Sequence, residues 1–590
     1  MSCGFTDTFM LLIMIFKLSP FYLWRSIFYL LSFIFFLLGL FFISGSQVFL
    51  IEWVLINMGG LIISFPLLVE GLGLLFSSVV LFISANVLVF SNYYIRLEIF
   101  KKRFLYLVLL FITSINLLIF IPHLIGLLLG WDGLGLVSFL LVIYYQNRKS
   151  LGAGIITALR NRVGDVFLLL RICWVLSQGH WKVIFIWDSN FRFLIIIRII
   201  IASITKRAQV PFRRWLPAAI AAPTPVRALV HSSTLVTAGV FLLVRFYPFL
   251  SSLASFNSSI LLIACVTIIM SGISALVECD IKKIVALSTL SQLGVMIAAI
   301  GLGHPLLAFF HLVAHALFKA LLFICVGNLI HLHFHSQDLR LIGNLVSELP
   351  LTSSCMNISN MALCGLPFMS GFYSKDLIIE LSLYEANNFT IIFLFLLSTF
   401  FTAAYRLRLV CRGILSIKLG SNIQYVEDGS IDILLPIVFL GLGGVVGGCC
   451  LNWVLIRPYR DPSLRGAFKL LAFILTILGG LISYFGGEFL TSVFYNNVFV
   501  HDINSSMWFI SNLSTQIFLD VSFKSSSNNL YYIDQGWAEV FGPSGIFEWL
   551  YMLINRLQKI QYLFVCFHMS LVLLVIFIIS FVCRGSLNKA

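Results

Sequence analysis

The sequence predicts an all-α, polytopic transmembrane bundle of about 15–16 helices, each needing roughly 20 apolar residues to span a hydrocarbon core. Three observations carry that prediction. Of 590 residues, 60% are apolar and only 11% are charged, whereas a water-facing surface needs roughly a quarter of the residues to be Asp, Glu, Lys or Arg. Apolar runs of spanning length recur along the chain, separated by short polar or Pro- and Gly-bearing connections. Those runs are apolar on every side, as buried or lipid-facing helices are, and do not alternate as the strands of a membrane barrel do. A soluble multidomain protein is excluded. So is a disordered chain, which would be poor in aromatics, because this one has 57 Phe, 19 Tyr and 11 Trp.

Taken in order, the clearest runs are residues 26–43, 72–95, 104–121, 124–145, 228–246, 260–277, 284–302, 306–330, 433–450, 470–485 and 563–582. Shorter or interrupted runs lie at 163–176, 194–205, 354–385 and 391–404, and 9–16 is a further short candidate. Residues 1–20 lack the basic n-region and A-x-A site of a cleavable signal. Lys206 precedes Pro211, Pro217, Pro223 and Pro225, so its helix is interrupted just beyond the charge. Lys375 and Asp376 follow Gly365 and Pro367 within a second long apolar segment. Two broken helices, each with a Lys near the break, fit a transporter built of two inverted repeats, about 104–246 and 260–404. The resulting organisation is N-terminal helices over 1–103, a core over 104–413, further helices and a loop over 414–529, and a terminal stretch over 530–590.

The formal charge of +14 invites a nucleic-acid reading. Its basic clusters, however, fall between apolar runs, at Lys101-Lys102-Arg103, Arg148-Lys149, Lys282-Lys283 and around Arg406, Arg408 and Arg412. Such clusters orient helices by the positive-inside rule, and no nucleic acid is required. A further basic cluster surrounds Arg457 and Arg465. The twelve Cys are scattered without a CxxC pair, so no metal site and no iron-sulfur ladder can be drawn and redox chemistry is not expected in this chain. His331, His333 and His335 alternate at a helix end and suit a wet interfacial loop better than the alternative of a metal site. Gly441, Gly443, Gly444, Gly447 and Gly448 suit close helix packing.

A charge at the bilayer centre costs about 2.5–3.5 kcal/mol on insertion scales, so intramembrane ionisable residues are functional candidates. Asp132 lies near the middle of a run, in Gly130-Trp131-Asp132-Gly133-Leu134-Gly135, and calls for either a counter-charge from a neighbouring helix or a protonated carboxyl. Asp165 stands three residues from Arg162 and can pair locally. His311, His315 and Lys319 form the strongest constellation. Steps of four advance only about 40° around a helix and about 6 Å along it, so the three side chains form one stripe. A neutral His accepts at one nitrogen and donates at the other, and a Lys, unlike Arg, can give up its proton. The stripe therefore reads as a proton relay; the plain alternative is a set of histidines bonded to neighbouring helices.

The strings Gly130-Trp131-Asp132-Gly133-Leu134-Gly135-Leu136, Asn161-Arg162-Val163-Gly164-Asp165, Ala221-Ala222-Pro223-Thr224-Pro225, Leu229-Val230-His231-Ser232-Ser233-Thr234 and His315-Ala316-Leu317-Phe318-Lys319-Ala320 closely resemble the mitochondrially encoded subunit 5 family of NADH:ubiquinone oxidoreductase, respiratory complex I. Asp280 to Lys283, Ser291 to Gly294 and Gly371 to Asp376 extend the match, which covers roughly residues 100–410. The resemblance implies an antiporter-like subunit of the membrane arm, in the mitochondrial inner membrane, that couples electron transfer in other subunits to proton translocation. NADH, FMN, iron-sulfur clusters and ubiquinone would belong to those partner subunits. Carried onto this chain, Asp132 takes the family's acidic position, paired with the broken-helix Lys206. His231, then Lys319 with His311 and His315, then Lys375 and Asp376 continue the polar axis and its exit path, and Asp165 is the acid of the Asn-Arg-Val-Gly-Asp motif. The family also has a lateral helix along the arm, here 537–561, followed by a final anchor at 563–582.

One departure stands out. Arg207, Arg213, Arg214 and Arg227 occupy positions where chains of this family carry small or polar residues, commonly Ser, and Arg160, Arg171 and Arg406 are similar cases. They fit AGA or AGG codons, read as serine in many invertebrate mitochondria, rendered as arginine. Two other functions remain open at the level of sequence: a subunit of a multi-subunit cation/proton antiporter, and a membrane scaffold with degenerate channels.

Overall fold

The computed structural model describes residues 20–58, 61–176, 181, 192–213, 215–333, 336–385, 388–416, 428–456, 466–485, 498–562 and 565–587. The candidate helix at 9–16, together with Arg214, His335, Arg457 and Arg465, lies outside them.

The first helices are α1 (Pro20–Ser44) and α2 (Gly71–Tyr94), which pack along one another. Between them an antiparallel hairpin, β1 (Val48–Met58) and β2 (Leu61–Glu70), runs in register from Val48 opposite Glu70 to Met58 opposite Leu61. Gly59-Gly60 between two β-branched and aromatic runs is a hairpin signal that the apolar-run reading passed over. Then come α3 (Lys101–Phe120), α4 (Leu124–Val142), α5 (Arg148–Val175) and α6 (Arg192–Lys206). The expected short run at 163–176 is only the apolar half of the 28-residue α5. The stretch before that run carries Arg148, Lys149, Arg160 and Arg162, which hid the helix from a hydropathy reading.

The chain breaks after Lys206 and resumes as α7 (Thr224–Leu250), whose Arg227–Thr234 stretch is wound as a π-helix. Three long helices follow, α8 (Ala254–Val277), α9 (Ile281–Gly301) and α10 (Pro305–Leu332). The spanning windows of α9 and α10 are completely buried. Helix α10 is packed against α2, α7 and α9, and against α11 (Pro350–Cys364), α12 (Ser370–Tyr384) and α14 (Ile431–Leu455). The expected segment 354–385 is thus two 15-residue helices, each too short to span alone. Gly365, at φ +84°, ends α11 in the left-handed conformation that favours glycine. Gly371 lets the two halves touch, because a Cβ there would lie 1.8 Å from the Ala362 carbonyl oxygen. Helices α13 (Phe389–Leu409) and α15 (Gly466–Phe485) pack together, and a short α16 (Val498–Ser505) closes this unit.

Twelve helices among the described residues are long and apolar enough to cross a membrane. Their ends sort into two sets. At one end Asn92 donates to Asp432 (3.4 Å), His331 lies against the rings of Tyr93 and Tyr94, and Arg408 donates to the Glu278 carbonyl (3.0 Å). These contacts gather the C-termini of α2, α8, α10 and α13 and the N-terminus of α14, together with Lys282, Lys283 and Arg408. At the other end Arg245 of α7 pairs with Glu70 and donates to the Ile119 carbonyl (2.7 Å), and His304 pairs with Glu385. The described ends of the helices so alternate between these two sets.

Residues 511–590 form a second compact unit. Helix α17 (Ile510–Asn529) runs on through the π-wound Leu530–Trp537 and Ala538–Phe541. Gly542 interrupts it, and Pro543 opens α18 (Pro543–Gln561), which precedes α19 (Val565–Leu587). The helical stretch expected at 537–561 therefore starts near Ile510 and is divided at Gly542.

Candidate functional site: a chain of buried cations and imidazoles

Lys206, the last residue of α6, is fully buried, and its ammonium donates to the Trp131 carbonyl (2.5 Å) and sits 3.7 Å from the centre of the Trp131 ring. An aromatic face partly replaces the hydration that a cation loses on burial. Helix α5 comes close because Gly164 has no side chain; a Cβ there would meet Thr205 Oγ1 at 2.4 Å. Asp165 is buried, and Arg162 lies between the two acids, 3.0 Å from Asp132 and 3.5 Å from Asp165.

Asp132 therefore differs from the expectation of a deep acid paired with Lys206. Its side chain is 34% exposed and its ion pair is with Arg162, itself 51% exposed. Asp132 follows Trp131, and one residue along a helix turns the side chain by about 100°. The Trp131 carbonyl faces Lys206, while the Asp132 carboxylate turns to Arg162 with one oxygen enclosed.

His231 lies within the π-wound stretch, buried, with its ring 5.9 Å from that of Trp215 and neither nitrogen hydrogen-bonded among the described residues. The extra residue per turn there displaces backbone acceptors onto side chains, as where Thr234 Oγ1 donates to the Leu229 carbonyl (2.6 Å).

The α10 stripe is as the spacing requires. Lys319 donates to Ser288 Oγ (2.5 Å) and toward the Val285 carbonyl (3.4 Å) on α9. His315 stands one turn away, its ring 6.2 Å from that of His311. His311 bridges two helices, with Nδ1 2.8 Å from Ser374 Oγ on α12 and Nε2 3.2 Å from Gln292 Oε1 on α9. Ser288, Gln292 and Ser374 were not singled out from sequence, although the four-residue spacing of Ser288 and Gln292 on an apolar helix mirrors that of the His and Lys opposite.

Lys375, one residue beyond Ser374, is held by the open end of α11. It donates to the carbonyls of Cys364 (3.2 Å) and Leu363 (3.4 Å) and to Thr402 Oγ1 (3.1 Å). Unsatisfied carbonyls at a helix C-terminus are a natural seat for a cation. Asp376 is half-buried on a neighbouring face, and no hydrogen bond holds it among the described residues. The structure thus brings the named residues together in three clusters, around Lys206, around His311 to Lys319 and around Lys375. No direct side-chain bond joins Lys206 to His231 or His231 to Lys319 among the described residues.

The suspect arginines are buried as well. Arg171, Arg207, Arg213, Arg227 and Arg406 are each at most 3% exposed. None of the three nitrogens of Arg171 has a hydrogen-bond partner, and Arg207, Arg213 and Arg406 each leave one or two unsatisfied. No carboxylate pairs with any of the five among the described residues.

The structure is a polytopic membrane-type helical bundle with two broken helices, each presenting a buried lysine, and with buried imidazoles on the helices between them. Residues 122–402 match the family described as NADH:quinone oxidoreductase/Mrp antiporter, TM, and residues 405–583 match NADH dehydrogenase subunit 5 C-terminus. The NADH-ubiquinone oxidoreductase chain 5 of Lumbricus terrestris is 49% identical over 508 residues, covering 85% of this chain and 88% of that one. That of Locusta migratoria is 45% identical over 521 residues, covering 86% and 90%. A solved structure titled "Structure of Mrp complex from Dietzia sp. DQ12-45-1b" shares the fold, with a TM-score of 0.67 at 23% identity, over 95% of this chain and 60% of that longer one. The chain belongs to the NADH-ubiquinone oxidoreductase chain 5 family.

Proposed function

We infer that this chain is a membrane-arm subunit of a proton-translocating NADH:ubiquinone oxidoreductase, carrying protons across the membrane while electrons pass from NADH to ubiquinone in other subunits. The observation that carries the reading is the line from Lys319 through His315 and His311 to Ser374, laid along the most deeply buried helices of the bundle. Titratable groups in that position are expensive unless they act.

In this reading Lys206, Lys319 and Lys375 are three proton-holding stations, and His231, His311 and His315 pass protons between them, with water completing the steps where no direct bond exists. The Asp165 and Asp132 carboxylates act on Lys206 electrostatically, so a shift of α4 or α5 alters how tightly that lysine keeps its proton. Asp376 lies beside Lys375 on the way out. No bond other than N–H or O–H is made or broken, and the chain is assigned no cofactor. NADH, FMN, iron-sulfur clusters and ubiquinone belong to the partner subunits.

The exposed Asp132–Arg162 pair lies mid-helix, where lipid would surround it, and this supports a neighbouring membrane subunit covering that face. Helices α17 and α18 present exposed aromatic and aliphatic side chains over tens of ångströms, which suits a lateral contact along such an arm. The membrane would be the mitochondrial inner membrane, with the basic end facing inward.

The antiporter alternative shares the fold, but the C-terminal match and the relatives' names favour the oxidoreductase. Purification of the native complex tests this. Co-purification with flavin and iron-sulfur subunits, and NADH oxidation that drives proton uptake into vesicles, supports it. Recovery with antiporter subunits alone overturns it.

A further inference from the structure

One buried tyrosine outside the clusters described above reaches the polar face of α9. Tyr405 of α13 is buried, and its hydroxyl lies 3.0 Å from the equally buried Ser291 Oγ. Ser291 stands three residues beyond Ser288, which receives Lys319, and next to Gln292, which meets His311. One short polar stretch of α9 thus takes side-chain contacts from both α10 and α13.

The direction of each bond follows from where the hydroxyl protons go. Ser288 Oγ donates to the Val285 carbonyl (2.6 Å), Ser291 Oγ to the Ser288 carbonyl (2.9 Å) and Thr402 Oγ1 to the Thr399 carbonyl (2.8 Å), each three residues back on its own helix. A hydroxyl has a single proton, so each of the three accepts from its second partner. Those partners are the Lys319 ammonium, the Tyr405 phenol and the Lys375 ammonium, all of them donors. Thr402, Tyr405 and Arg408 follow one another in steps of three along α13, each step about 4.5 Å along the axis and about 60° around it. Each holds a different helix: Thr402 receives Lys375 of α12, Tyr405 donates to Ser291 of α9, and Arg408 donates to the carbonyls of Leu276 and Glu278 at the C-terminal end of α8. Thr402 and Tyr405 are less than one turn apart, so the seat of Lys375 and the face of α9 that holds Lys319 are tied to the same turn of α13.

We propose that Tyr405 is a positioning residue for proton translocation: it fixes the rotation of α9 at which Ser288 faces Lys319, and α13 joins that hold to the Lys375 seat through Thr402. The proposal rests on the proton-carrying reading above. Tyr405 itself passes no proton in this role; its O–H stays bonded to Ser291. A displacement of α12 that draws Lys375 from the carbonyls of Cys364 and Leu363 pulls on Thr402, and the same turn of α13 carries the pull through Tyr405 to Ser291, one turn from the Ser288–Lys319 bond. The two lysines are thereby coupled by a strut of side-chain bonds that lies beside the imidazoles of α10 and does not run through them.

The test uses the intact complex in proteoliposomes. Tyr405→Phe keeps the ring and removes the donor, and Ser291→Ala removes the acceptor. Each is expected to slow NADH-driven proton uptake by about fivefold, the usual contribution of one hydrogen bond expressed as a rate. The double variant is expected to be no slower than either single one, because the same bond is lost in all three. Ser291→Thr, which keeps the hydroxyl, is expected to retain the parent rate, and native gel migration reports how much complex each variant assembles. Unchanged uptake in Tyr405→Phe, losses that multiply in the double variant, or losses no larger than the loss of assembled complex overturn the positioning role. Lys319→Ala serves as the control. If it leaves pumping intact, the proton-carrying reading has failed; if it abolishes pumping while Tyr405→Phe changes nothing, the role of Tyr405 alone has.

Discussion

Lys319 on α10 donates to the hydroxyl of Ser288 on α9 at 2.5 Å, and this contact ties the central ammonium to the second of two completely buried helices. A charge-assisted hydrogen bond of this kind contributes about 1.5–3 kcal/mol. Removing the hydroxyl with Ser288→Ala leaves the ammonium only the Val285 carbonyl at 3.4 Å. Proton pumping in proteoliposomes is expected to slow by about tenfold, since about 1.4 kcal/mol is a factor of ten in rate. Ser288→Thr, which keeps the hydroxyl, restores most of it.

His311 bridges Ser374 and Gln292, so it is held at both nitrogens while His315 beside it is not. His311→Phe fills the same space without a donor or acceptor. Pumping is expected to stop while the subunit still assembles, checked by native gel migration alongside proton uptake. Gln292→Ala removes one of the two contacts and is expected to have a smaller effect, because Ser374 still orients the ring.

At the second broken helix Gly371 meets the Ala362 carbonyl where no Cβ fits. Gly371→Ala must push α11 and α12 apart, and with them Lys375 from the carbonyls of Cys364 and Leu363. Overpacking of this sort costs about 1–3 kcal/mol. The expected result is a lower unfolding temperature of the complex together with reduced pumping, whereas Gly466→Ala, at a position with open space around it, changes neither.

The buried guanidinium groups make a prediction about the chain itself. Arg171 lies over the ring of Phe246, at 4.1 Å, Arg207, Arg213 and Arg406 leave donors unsatisfied, and the Arg227 side chain has only the Ala222 carbonyl as a hydrogen-bond acceptor among the described residues. Guanidinium groups in this state are costly within a membrane. Peptide mass spectrometry of the native protein is expected to find serine at positions 207, 213 and 227, and arginine there would refute this reading. The proton path proposed above uses none of these residues.

Much of this architecture was legible because hydropathy reports spans directly and the four-residue spacing of His311, His315 and Lys319 already implies one face. The breaks announced themselves through proline and through Gly365. What stayed hidden has a common cause. The first half of α5 and the hairpin at Val48–Met58 and Leu61–Glu70 lack a long unbroken apolar run with flanking helix signals. The orientation of Asp132, and the partners Ser288, Gln292, Ser374 and Thr402, depend on which helices become neighbours. His304 and Glu385 are 81 residues apart, and nothing in either local sequence shows that they meet.

The most direct test of the central claim is the number of protons moved per NADH oxidised by the reconstituted complex carrying Lys319→Ala. The proton-carrying account predicts that this number falls, or that NADH oxidation stops with pumping because the two are coupled. Unaltered oxidation with an unaltered number of protons per NADH would contradict it.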